Sequence, residues 1–173
     1  MAYRSHFIHM DRRHFILSSC AVAVCGALPC AVSAQNSEYD FYFTRLSYES
    51  GNWEVDERMP ANVLNSLIEY TSLRVDLQER VIPLSDPSML SAPFCYMAGH
   101  RLVQFNLQER QNFQRYVENG GFVFVDDCNH DIDGMFAKTF EAQMADMFGP
   151  KALKKIPNNH PLYSSFFEFD GPP

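Results

Sequence analysis

Basic side chains are scarce. The 173-residue chain holds 14 Lys and Arg against 21 Asp and Glu, a formal net charge of −7. Arg4, Arg12 and Arg13 fall among the first 34 residues with Asp11 as the lone acid there, so the rest is more acidic still. No basic patch is left for a phosphate backbone or an anionic bilayer surface, which excludes nucleic acid as a partner. Cysteine is also short where it would count. Cys20, Cys25 and Cys30 lie before residue 35, leaving Cys95 and Cys128. Two thiols are no disulfide framework, although in an oxidising compartment they could pair with each other. Tryptophan occurs once, as Trp53, and is expected to cap a core rather than hold a ligand. Repeats, low-complexity tracts and apolar runs of the ~20 residues that span a bilayer are absent.

What is present begins with an address. Arg12-Arg13-His14-Phe15-Ile16 precedes an apolar, small-residue run over 18–28, and Ala31-Val32-Ser33-Ala34 follows. A basic start, a short apolar middle and a small-residue end predict a signal peptide over 1–34, cut after Ala34. The paired arginines followed by Phe and Ile are similar to a twin-arginine export signal. The expected location is periplasmic or secreted, with no stable membrane anchor once the signal is removed.

The whole chain is 46% hydrophobic, and residues 35–173 are long enough for one α/β domain with a substantial core. Phe41 to Leu46 reads as a first strand. Pro60 opens a helix with Val63, Leu64, Leu67 and Ile68 on its packing face. Val81-Ile82 is a short second strand, and Pro93 to Ala98 a third that ends at Gly99-His100. Asn106 with Glu109 predicts a capped helix, its stripe formed by Leu107, Phe113, Tyr116 and Val117, and Gly120 stops it. After a fourth strand, Asp133 caps a helix carrying Phe136, Phe140, Met144, Met147 and Phe148, which Gly149-Pro150 ends. Phe166-Phe167-Glu168-Phe169 begins a further strand. Strands alternating with helices predict a flavodoxin-like, doubly wound parallel sheet.

The fourth strand organises the rest. Gly120-Gly121 leads into Phe122-Val123-Phe124-Val125, and the apolar run predicts a central strand covered on both faces. Asp126, Asp127, Cys128, His130, Asp131 and Asp133 follow directly. Open α/β sheets bind ligands beyond the carboxyl ends of their strands, so Arg45, His100, Asp126, Asp127 and His130 are the candidate binding residues, with Arg45, His100 and Asp127 expected to face one crevice. His100, Asp127 and Cys128 are the candidate catalytic groups. Asp126, Asp127, His130, Asp131 and Asp133 offer the hard donors a divalent metal takes, but their spacing fits no calcium loop, and a solvated loop capping the next helix is the plainer reading.

Four stretches in order, 41–46, 96–100, 120–128 and 160–162, make the chain resemble the bacterial "domain of unknown function 4159" family from about Asp40 onward. The resemblance implies a class I glutamine amidotransferase-like fold, of which this chain is similar to a member shortened at its C-terminal strands. In active amidotransferases a Cys on a Gly-flanked elbow follows the Gly-Gly strand. Here that position is Asp127, with Cys128 one residue late, no glycine after it, and only His160, in a turn, toward the C-terminus. The expected function is therefore a noncatalytic binding or interaction domain for a small molecule or a protein. A hydrolase-like or metal-dependent enzyme using the acidic cluster, and a cysteine-based enzyme using Cys128, are the alternatives.

Overall fold

The computed structural model describes residues 38–128 and 134–167. Strands and helices alternate along them: β1 Phe41–Ser47, α1 Met59–Tyr70, β2 Val75–Pro83, β3 Cys95–Gly99, α2 Leu107–Glu118, β4 Val123–Asp127 and α3 Met135–Phe148. Every strand pairing is parallel, and the order across the sheet is β2-β1-β3-β4. This is the flavodoxin-like, doubly wound arrangement, with its switch point between β1 and β3.

Successive strand residues point to opposite faces, so each strand feeds two cores. On one face Phe43, Tyr96 and Ala98 meet Leu64 of α1. On the other, Leu46, Cys95 and Met97 meet Phe113 and Tyr116 of α2 and Phe136, Phe140 and Met144 of α3. Trp53 is half-buried against this larger core, as a capping residue should be.

The ends of α2 follow directly from local sequence. Asn106 Oδ1 accepts from the Glu109 N–H and Glu109 Oε2 from the Asn106 N–H, both at 2.9 Å, a complete capping box. At the other end Gly120 takes φ +86°, while its N–H and that of Gly121 donate to the carbonyls of Val117 and Tyr116 at 2.9 and 2.8 Å. That bonding pattern uses two of the helix's last carbonyls and needs a left-handed residue at Gly120.

Several expectations change. β4 is the outer strand of the sheet among the described residues, and it is not covered on both faces: Phe122 is 60% and Phe124 42% exposed. An apolar run specifies a dry environment but not which neighbours supply it. β2 is far longer than Val81-Ile82, because Val75, Asp76 and Arg80 also pair with β1 through the backbone, across a register shift, despite polar side chains on an exposed strand. Ile68, Leu107 and Val117 lie on the surface, whereas Glu109 and Asn112 are buried by the hydrogen bonds they make. Gly134 occupies the N-cap position of α3 without a side-chain bond; Asp133 lies outside the described residues. Phe166 and Phe167 form no strand. Phe167 packs edge-on against Tyr70 of α1 with ring centroids 5.4 Å apart, and 168–169 lie outside the described residues.

Candidate functional site

The loop from Tyr48 to Arg58, joining β1 to α1, lies over the carboxyl ends of β1 and β3. It is tied down at many points. The Tyr48 hydroxyl donates to the Ala98 carbonyl at 2.9 Å, the Glu49 N–H to Glu109 Oε1 at 2.9 Å, and Gln104 N–H to Ser50 Oγ at 2.8 Å. Arg45, 4% exposed, donates to the Val55 carbonyl at 2.6 Å, the Asp56 carbonyl at 3.2 Å and Glu79 Oε2 at 3.0 Å. Its guanidinium also lies 5.4 Å from the Tyr96 ring centroid. Arg45 is thus a clamp on the loop rather than a receptor for an anion.

His100 and Cys128 do meet. His100 Nδ1 stands 3.3 Å from Cys128 Sγ, and the thiol donates to the Gly99 carbonyl at 3.4 Å. Asn52, which drew no attention in the sequence because an Asn after a Gly reads as a turn, completes the group. Its Oδ1 accepts from the His100 backbone N–H at 3.3 Å, which turns its amide nitrogen toward the ring, 2.9 Å from Nε2 and 3.3 Å from Nδ1. The amide N–H lies within reach of both ring nitrogens, so whether Nδ1 donates to the sulfur or accepts from it follows the tautomer. Burial raises the Cys128 thiol above its ordinary pKa, and the carboxylates of Asp56, Asp126 and Asp127 add to the effect. The arrangement holds a neutral thiol, not a thiolate.

The acidic pair separates. Register sets Asp126 beside Ala98 and Asp127 beside Gly99, so the two carboxylates leave the strand on opposite faces. The Tyr96 hydroxyl reaches Asp126 Oδ2 at 3.4 Å and Asp56 Oδ2 at 3.5 Å on the α1 side. Burial, with these two carboxylates behind it, raises the Tyr96 pKa. Asp127 faces α3 and lines a cavity of about 730 Å³ that runs beside β4. Arg45, His100 and Asp127 therefore do not share one crevice. Among the described residues no three His, Cys, Asp or Glu side chains converge as metal ligands. His130, Asp131 and Asp133 lie outside the described residues. Cys95 and Cys128 are both free thiols. They sit at opposite ends of the β3–β4 pair, roughly 15 Å apart at the usual strand rise, where a disulfide needs α-carbons within about 7 Å.

Residues 42–173 match the family described as Domain of unknown function (DUF4159). The chain belongs to that family. No curated protein matches it. Membership in DUF4159 brings no activity with it, so the chemistry of the site rests on its geometry. Tyr48, Asn52, Asp56 and Tyr96 are the members of the site that the sequence did not expose. Tyr96 sits inside an apolar strand, and the other three sit in a loop whose path only the folded chain defines.

Proposed function

We propose that this DUF4159 protein is an exported, noncatalytic binding domain. The observation that carries the reading is the state of Cys128, the nucleophile that the sequence places at the strand ends. Its thiol donates to the Gly99 carbonyl, and burial with the neighbouring carboxylates raises its pKa. A working cysteine needs the opposite, a lowered pKa. Export is proposed from the leader over 1–34 alone.

A cysteine-based enzyme is the second reading, favoured by the 3.3 Å contact between sulfur and imidazole. Alkylation separates the two. Cys95 is buried with its thiol pushed up to about 11, and iodoacetamide added to the native protein at about pH 8, with the peptide bearing Cys128 followed by mass spectrometry, reads that thiol apart from Cys20, Cys25 and Cys30. The binding-domain reading expects Cys128 to react more slowly than a free thiol, with the rate still climbing above the pH where free cysteine levels off. A Cys128 that reacts faster than free cysteine, with a rate already flat at neutral pH, would establish an activated thiolate and overturn it.

A further inference from the structure

A second opening lies at the carboxyl ends of β1 and β2, whereas His100 and Cys128 follow β3 and end β4. Ser47 and Pro83 are the last residues of those two strands, and the Leu84 N–H donates to the Ser47 carbonyl at 2.7 Å, which ties their ends together. Tyr48, Glu49 and Trp53 of the following loop, with Glu109 of α2, complete a cavity of about 200 Å³ that opens to solvent. Pockets for drug-sized ligands run to ~300–1,000 Å³, so this one takes a small organic molecule and excludes a nucleotide.

Its charge is of one sign. Among the described residues two carboxylates line it, and no Lys, Arg or His does. Glu109 is 1% exposed, and its oxygens accept from the backbone N–H groups of Asn106 and Glu49. Those donors are neutral, and among the described residues no basic side chain pairs with Glu109, so only the partial charge of the first turn of α2 answers its own. Glu49, an exposed residue, adds a second acid. Two aromatic residues line the same space: Tyr48, 5% exposed and held by its bond to the Ala98 carbonyl, and Trp53, which is half-buried against the core. Carboxylates attract a cation by charge, and ring faces attract it by their quadrupole. Ser47 and Ser85 add hydroxyls that donate or accept.

We propose that this cavity binds a small organic ammonium ion, with Tyr48 and Trp53 as its aromatic walls, Glu49 and Glu109 as its counter-charge, and the hydroxyls of Ser47 and Ser85 for a polar substituent. A hard metal ion is the poorer occupant, because two of the walls are aromatic carbon where such an ion takes six or more oxygens. A neutral sugar is poorer too, since it leaves the charge of Glu109 uncompensated. The ligand class deepens the binding-domain reading and rests on it. The two fail separately, since Cys128 alkylation tests the one and amine binding the other.

Trp53 is the only tryptophan of the chain, so its fluorescence reports on this cavity. The probes are choline and ethanolamine, a quaternary and a primary ammonium, each titrated into the full chain. A saturable change is expected with at least one of them, the tighter showing which class the cavity takes, and none with the uncharged carbon isostere of choline. Glu49→Gln, a change at an exposed residue, should weaken binding at least about fivefold, and Trp53→Leu, followed by calorimetry, by a similar factor. Should Trp53→Leu not fold, Glu49→Gln carries the expectation alone. Absence of saturation by both amines overturns the proposal. So does equal binding of the isostere, or an affinity that Glu49→Gln or a folded Trp53→Leu leaves unchanged.

Discussion

Gly99 shows how closely the site is packed. A Cβ built there would overlap the Tyr48 hydroxyl and come within 2.8 Å of the Phe136 ring. Both neighbours are fixed, Tyr48 by its bond to the Ala98 carbonyl and Phe136 by stacking on Phe140 at 6.2 Å. Gly99→Ala is therefore expected to cost about 1–3 kcal/mol by overpacking, read as a lower urea midpoint at unchanged slope. An unchanged midpoint would mean that the loop over the strand ends gives way easily. In the sequence, Gly99-His100 marked the end of a strand, and the residues that make a side chain intolerable there come from 51 and 37 positions away, at Tyr48 and Phe136. The same holds for Cys128 and His100. Each was legible as a reactive type, but the amide of Asn52 and the acids of Asp56 and Asp126 decide what their chemistry can be.

Among the elements, α2 was the most legible and is the most informative to perturb. Its capping box lies within four consecutive residues, Asn106 to Glu109, so local sequence suffices to specify it. What the box conceals is a long-range role, because Glu109 is 1% exposed and also accepts from the Glu49 N–H. Glu109→Ala leaves two N–H groups without their acceptor and is expected to cost about 2–4 kcal/mol in a thermal or urea melt. Glu109→Gln should recover part of that loss through its remaining amide oxygen. A loss below about 1 kcal/mol for the Ala variant would reduce Glu109 to an ordinary exposed cap. The strands were read less well, for a physical reason. β2 forms through backbone pairing with β1, which tolerates its charged side chains, and β4 is apolar whether or not a neighbour covers it. Side-chain pattern reports preference for burial, while pairing and coverage depend on partners distant in the chain.

At the scale of the whole molecule, the proposed export rests on the leader over 1–34, while the acidic excess argues against polyanions as partners. Replacing Arg12 and Arg13 together by Lys keeps the charge but breaks the paired-arginine pattern, and is expected to retain the protein in the cytoplasm when cell fractions are compared. Undiminished export of that variant would show that the pair is not the signal being read. The order β2-β1-β3-β4 sets the loop bearing Asn52, the end of β3 bearing His100 and the end of β4 bearing Cys128 around one point, with about half of the chain between the first and the last. By itself the sequence determined the alternation of strands and helices, the caps of α2, the family, and the edge of the sheet where the ionisable groups gather, because periodicity, capping and turn chemistry act over a few residues. Only the tertiary structure decided that Asp126 and Asp127 part to opposite faces, that Arg45 serves the loop and that the thiol stays neutral. Those outcomes depend on register, burial and neighbouring charge, which exist only once distant segments have met.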